Sequence, residues 1–339
     1  MSSGGLTREL AKKILLHRAF YRTWRKLTTP DPYPGMITAA ERSFYSRCAA
    51  SMAARGGCVV DLGCWMGATT AALAEGLSSA ATPNDQNLIH AYDLFVWHPW
   101  MDDFGGLVFG VYEEGESFLP EARRRLSTYR NLIRLYKADL TETAWGRGPI
   151  KILLVDAMKS VKLAKAIARN FFPSLTANSA LIQQDYKHYY TPWIHVLQHR
   201  LRTYCTFTYS VPQSGTVGFR VNKPIPCRDI EEAVCFDVLT DDELEAAIDY
   251  SLSLVGEDGK ENVAAAHIMH YLHVDQPEKA GRVFARYAAQ GMAGKEEMLI
   301  VEGLLIGRQK WPSLSAEQAF ERAFTDPANR ELWQKAYQR

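Results

Sequence analysis

The sequence predicts an α/β protein: a mostly parallel seven-stranded sheet ending in an antiparallel hairpin, with an all-helical C-terminal domain. Three observations predict it. A short apolar run, Cys58–Leu62, breaks into a glycine-punctuated turn and then a helix at Ala71–Leu77. Four more apolar runs follow at intervals that leave room for helices between them. Beyond Lys223-Pro-Ile-Pro226 the strand patterns stop and only helical ones remain.

Taken in order, residues 1–34 read as a basic amphipathic helix. Arg8, Lys12, Lys13, Arg18, Arg22, Arg25 and Lys26 lie beside Leu10, Ile14, Leu15, Phe20 and Trp24. Such a helix rests on a membrane surface, covers an acidic ligand or packs on its domain with a solvated basic face. The last is the simplest reading. Its longest apolar run, Ile14–Leu16, is too short for a secretory signal.

Residues 35–226 form the α/β domain. Its five parallel strands are predicted at Cys58–Leu62, Leu88–Tyr92, Leu132–Lys137, Ile150–Val155 and Ala180–Gln184. Glu116–Tyr129 carries Phe118, Leu119, Ala122 and Leu126 at helical spacing, and Lys159–Phe172 carries Val161, Leu163, Ala164 and Ile167. A helix at Trp193–Tyr204 precedes two β-rich runs, Cys205–Val211 and Thr216–Val221. The turn Pro212-Gln-Ser-Gly215 joins them as a hairpin. Residues 227–339 are then helical, with segments at Asp241–Leu254, Asn262–Leu272, Pro277–Gln290, Lys295–Arg308, Ala316–Thr325 and Arg330–Tyr337. Thr240 or Asp241 is placed to cap the first. The small-residue rhythm of Ala264–Gln290 suggests two packed antiparallel helices.

Composition narrows the function classes. A net charge of +1 over 339 residues gives no global electrostatic reason for nucleic-acid binding. The six cysteines are scattered without a Cys-x-x-Cys pair, which indicates neither a zinc site nor a disulfide scaffold and fits a reducing cytoplasm. No apolar segment reaches the length of a membrane span. The expected partner is a small molecule. The apolar positions of the C-terminal helices need cover from the α/β domain or from a second copy in a homodimer.

The turn after the first strand has the spacing Asp61-x-Gly63-x-x-x-Gly67-x-Thr69. This differs from the Gly-x-Gly-x-x-Gly of dinucleotide enzymes and from the lysine-bearing P-loop. It resembles the first motif of class I S-adenosylmethionine-dependent methyltransferases. Their Rossmann-like sheet ends in the same kind of hairpin. The resemblance covers about residues 35–223. It implies S-adenosylmethionine as cofactor, held by Asp61, Gly63, Cys64, Gly67 and Thr69 around its methionine part. Asp93 would take the ribose, Asp139 and Leu140 would lie at the adenine, and Leu94 and Asp156 complete the cofactor set. A carboxylate at the end of a second strand accepts both ribose hydroxyls, which neutral side chains match poorly.

After strands four and five, Val155-Asp156-Ala-Met-Lys159-Ser160 and Ile182-Gln-Gln184-Asp185-Tyr-Lys-His188 narrow the resemblance to the macrocin and catechol O-methyltransferase branch. That branch holds a divalent ion, so the resemblance implies Mg²⁺ on Asp156, Gln184 and Asp185. One usual carboxylate is replaced by the Gln184 amide, which Mg²⁺ accepts at reduced affinity. The competing reading has both aspartates capping helices or pairing with Lys159 and Lys187. His188 is the first candidate base, because imidazole titrates near neutrality. Lys159 is second, and Asp156 serves if no metal binds.

The aromatic segment Phe95, Trp97, His98, Trp100, Phe104, Phe109 and Tyr112 either walls an acceptor pocket or plugs a local core. His267, His270 and His273 lack a carboxylate or cysteine partner, and a metal there is not expected. The expected function is therefore O-methylation of a hydroxyl on a sugar, glycoside or other secondary metabolite. The alternatives are an N-methyltransferase, a hydroxylase-type enzyme on the same fold, or a non-catalytic module.

Overall fold

The computed structural model describes residues 35–79, 88–98, 101, 112–294, 296–311 and 313–314. The N-terminal basic helix, Trp100, Phe104, Phe109 and the last two helical segments lie outside the described residues. The chain divides into two compact units. The first holds the sheet and comprises the described residues up to Tyr186 together with Trp193–Tyr250. The second holds Lys187–Pro192 and the described residues from Ser251 onward.

Seven strands form one sheet: β1 (Cys58–Leu62), β2 (Ile89–Asp93), β3 (Ile133–Lys137), β4 (Ile150–Val155), β5 (Leu175–Gln183), β6 (Cys205–Ser210) and β7 (Val217–Val221). Their spatial order is β3-β2-β1-β4-β5-β7-β6. The first five strands run parallel, and β7 pairs antiparallel with both β5 and β6. The central strands are continuous apolar runs because a parallel sheet is covered on both faces. In β4 every residue is buried.

Helix α1 (Ala39–Met52) opens with a reciprocal cap: Glu41 N–H donates to Thr38 Oγ1 at 3.1 Å and Thr38 N–H to Glu41 Oε2 at 2.7 Å. Helix α2 (Ala68–Ser78) follows β1 directly. Phe44, Tyr45 and Ala49 of α1 and Ala71, Ala72 and Leu73 of α2 share a core with Val59, Ile152 and Ile182. The helix expected from residue 116 begins at α3 (Leu119–Arg125) and tightens into a 3₁₀ turn, Leu126–Tyr129. Proline in its first turn accounts for the late start, because it lacks the N–H a helix interior needs. In α4 (Val161–Phe171) Ser160 caps the N-terminus, and Ala164, Ile167, Ala168 and Phe171 make the buried stripe.

Three later helices, α5 (Pro192–Arg200), α6 (Cys227–Ala233) and α7 (Asp241–Leu254), follow β5 and the hairpin. Residues 227–250 group with the sheet rather than with the later helices. Arg200 fixes them there. Its guanidinium donates to both Glu243 oxygens, at 2.7 and 2.9 Å, and to the carbonyls of Glu232, Ala233 and Cys235 at 3.3, 3.2 and 3.0 Å.

In the helical unit, α8 (Glu257–His273) packs against α9 (Pro277–Ala289) and α10 (Glu296–Lys310). His267 is fully buried there, with Nδ1 3.1 Å from the Tyr287 hydroxyl and 3.2 Å from Arg286 Nη2. No helix among the described residues is long and apolar enough to cross a membrane. No disulfide joins the six cysteines.

Candidate active site

The site lies at the carboxyl ends of β1, β2, β4 and β5, where an open α/β sheet offers its loops to ligands. Asp61 is the fourth residue of β1 and fully buried. Its Oδ2 accepts the Thr69 and Thr70 hydroxyls, at 2.8 and 2.6 Å, which ties the strand to the first turn of α2. Its Oδ1 is buried with no hydrogen-bond partner among the described residues. Burial raises the carboxyl pKa to about 6, against the opposing pull of Thr70 and Thr69.

The turn from β1 to α2 closes tightly. Gly63 has φ +88°, and a Cβ on it would stand 2.3 Å from the Asp156 carbonyl oxygen. Gly67 has φ +94° and caps α2 in the left-handed region, which glycine enters without steric cost. Trp65 also has positive φ, at 43°, an outlier for a bulky residue. The N–H groups of Gly63 and Cys64 donate to the Tyr92 carbonyl at 2.8 and 3.2 Å, so the turn is sewn to β2. Cys64 is buried, and burial pushes its thiol well up.

Asp93 ends β2. Its Oδ2 accepts the Trp65 N–H at 2.9 Å and its Oδ1 the Phe95 N–H at 2.7 Å. Burial raises its pKa, and the two N–H groups oppose the rise. Beside it Leu94 is 51% exposed, a rare position for a large apolar residue among the described residues. Past β3, Asp139 turns on itself: Oδ1 accepts the Thr141 N–H at 2.8 Å, which lowers its pKa. Leu140 is buried. Phe95 and Trp97 are buried against Phe118, and Trp97 also meets Tyr112, so the described part of the aromatic segment forms a local core.

Asp156 follows β4 and Asp185 follows β5. The Lys159 ammonium lies between them, 2.6 Å from Asp156 Oδ1 and 2.5 Å from Asp185 Oδ2. Burial pushes the Asp156 carboxyl well above the usual range; Lys159 opposes this and Asp185 adds to it. Gln184 Oε1 accepts the Tyr45 hydroxyl at 3.3 Å. Tyr45 in turn lies 2.8 Å from Thr216 Oγ1, whose hydroxyl donates to Glu41 Oε1 at 2.6 Å. Desolvation raises the Glu41 pKa.

The three expected Mg²⁺ donors thus all have protein partners, and two of them already share a cation. Among the described residues no group of three or more His, Cys, Asp or Glu is placed to hold a metal ion. The set does not fit a divalent ion. The S-adenosylmethionine set fits better: a cationic ligand suits the unpartnered Asp61 oxygen, and the glycine turn admits a close backbone approach.

His188, the first candidate base, is not grouped with these residues. It lies in Lys187–Pro192, within the helical unit. Its ring lies tilted to Tyr189 and edge-on to Tyr190, at 5.0 and 4.1 Å between centroids. The same segment is held by Glu297, which accepts the Tyr189 N–H at 2.9 Å.

Sequence reasoning missed Tyr45, Glu41, Thr216 and Thr70. Thr70 stands next to Thr69 within the motif and was open to detection. Tyr45 had no signal, because its partners Gln184 and Thr216 are 139 and 171 residues away.

The strand order, with the reversed last hairpin, decides the architecture. The sheet is Rossmann-like and ends in an antiparallel hairpin. No protein-family model and no curated protein matches the sequence. Among solved structures, the chain is similar to the O-methyltransferase NovP at 12% identity, over 64% of this chain and 99% of that one, with a TM-score of 0.46. It is similar to CalS11, a TDP-rhamnose 3'-O-methyltransferase of calicheamicin biosynthesis, at 13% identity over 65% and 96%, TM-score 0.44. A phosphoethanolamine N-methyltransferase of Haemonchus contortus matches at 12% identity over 68% of this chain and 54% of its own, TM-score 0.39.

Proposed function

We propose that this chain is an S-adenosylmethionine-dependent methyltransferase that methylates a hydroxyl of a sugar, glycoside or other secondary metabolite. One observation carries the reading. The carboxylates of Asp61 and Asp93 flank a single glycine turn at the carboxyl edge of a sheet with this strand order. The acceptor class rests on the sequence resemblance of the segments after β4 and β5.

S-adenosylmethionine, when bound, supplies an electrophilic methyl carbon on a sulfonium. Asp93 is suited to its ribose, because each oxygen takes one backbone N–H and keeps a further lone pair for a hydroxyl. Leu94 and Leu140 are the proposed apolar flanks of the adenine. Asp61 Oδ1 and the Gly63–Gly67 backbone are the proposed seat of the methionine part. The chain's own task is then to hold the acceptor in line and take its proton. Asp156 is a proposed proton acceptor, since its raised pKa brings the carboxyl toward neutrality. Lys159 is held by two carboxylates. No step is assigned to a metal.

The test is release of S-adenosylhomocysteine from S-adenosylmethionine with a panel of phenols, sugar nucleotides and glycosides, and with amines beside them. Acceptor-dependent release with hydroxyl compounds is expected. Release with amines alone would overturn the O-methylation reading in favour of N-methylation.

A further inference from the structure

The loop from β4 to α4 holds Lys159 in one place. Asp156 N–H donates to the Leu62 carbonyl at 2.8 Å at its start, and Ser160 caps α4 at its end. Between them the Trp193 indole N–H donates to the Met158 carbonyl at 2.8 Å. Ala157 and Met158 are buried. The lysine stem therefore leaves a fixed backbone, and its ammonium meets Asp156 and Asp185 as described above. The two carboxylates are 17% and 9% exposed and the Lys159 side chain 39%, so the acidic ends of the group are shielded from water and the ammonium is partly screened. Gln184 is held from elsewhere, through Tyr45, Thr216 and Glu41.

We propose that the Lys159 ammonium is the built-in cation of this site, and that the chain works without a divalent metal. The second half of the proposal rests on the methyltransferase reading; the first half does not. An ion about 2.1 Å from both carboxylate oxygens, as Mg²⁺ demands, would lie within about 5 Å of the ammonium nitrogen. Two cations that close repel each other, even where one of them is partly screened. The ammonium offsets carboxylate charge in the pair, and the Gln184 amide adds none. One ammonium thus gives the charge compensation for which a metal site recruits an ion, without dependence on ion supply.

The experiment uses the full chain, stripped with EDTA and desalted, and counts bound Mn²⁺ by electron paramagnetic resonance. Wild type is expected to take up no stoichiometric Mn²⁺. Lys159→Met removes the charge and keeps most of the stem, and is expected to bind Mn²⁺ at least about tenfold more tightly. Mn²⁺ should also raise the thermal midpoint of that variant and leave wild type unchanged. Adding Asp185→Asn should abolish the gain, which separates the site from adventitious binding. Lys159→Gln is the second variant if Lys159→Met does not fold. Wild type that binds one Mn²⁺ per chain, lost in Asp185→Asn, would overturn the proposal; so would folded Lys159 variants that gain nothing. S-adenosylhomocysteine is titrated into the same stripped samples. Failure of wild type to bind it would count against the methyltransferase reading, while the Mn²⁺ result still decides the cation.

Discussion

The Thr70 hydroxyl in α2 donates to Asp61 Oδ2 in β1 at 2.6 Å, and this bond joins the strand to the helix that leaves the glycine turn. The carboxylate it reaches is fully buried, with a pKa raised to about 6. An unfolded aspartate titrates near about 4. Between these values the folded chain holds the proton that the unfolded chain has lost. Stability contributed by this group is therefore present below about pH 4 and falls as pH rises to about 6. Asp61→Asn removes the effect. In urea unfolding without cofactor, wild type should lose up to about 3 kcal/mol relative to Asp61→Asn between pH 4 and pH 7.5. A difference independent of pH would contradict the assignment.

Gly63→Ala should cost more than about 1 kcal/mol from the positive φ alone. The added Cβ also meets the Asp156 carbonyl oxygen, a backbone atom that cannot rotate away. The urea midpoint is expected to fall sharply. A midpoint within error of wild type would mean that the turn is looser than described.

Arg200→Ala should destabilise by about 1.5–3 kcal/mol, the range for hydrogen bonds to charged groups. The loss should be local. Hydrogen exchange should quicken in α6 and in the first turn of α7, because Arg200 bridges the carbonyls of Glu232, Ala233 and Cys235 to Glu243. Unchanged exchange there would show that other contacts hold this segment to the sheet.

Tyr45→Phe removes one hydroxyl from a buried chain of four side chains. It leaves Thr216 and Gln184 short of a partner, at a cost of about 1–2 kcal/mol. Urea unfolding measures it directly. A neutral result would mean that water replaces the hydroxyl.

The parallel strands were legible because buried strands are short apolar runs. β1 and β4 begin and end where the pattern does. β5 was read five residues short, because Thr176, Ala177 and Asn178 are exposed and Asn178 has φ +69°. Its opening turn looks like a loop in sequence and pairs like a strand only in the sheet. Asp61, Asp93 and the glycines stood out through spacing within one turn. The Lys159 bridge could not be read in full. The Asp156 half is three residues apart in sequence, while the Asp185 half depends on two strands lying side by side. His188 follows β5 closely in sequence but groups with the helices, a division that local pattern does not encode.

The central claim is that the β1–β2 edge holds S-adenosylmethionine. Calorimetric titration of S-adenosylhomocysteine into the full chain and into Asp93→Ala tests it most directly. Micromolar binding by wild type, about 8 kcal/mol, is expected. Asp93→Ala should weaken it by about 1.5–3 kcal/mol, the worth of hydrogen bonds to a charged group. Folded wild type without measurable affinity, or equal affinity in the two proteins, would contradict the account.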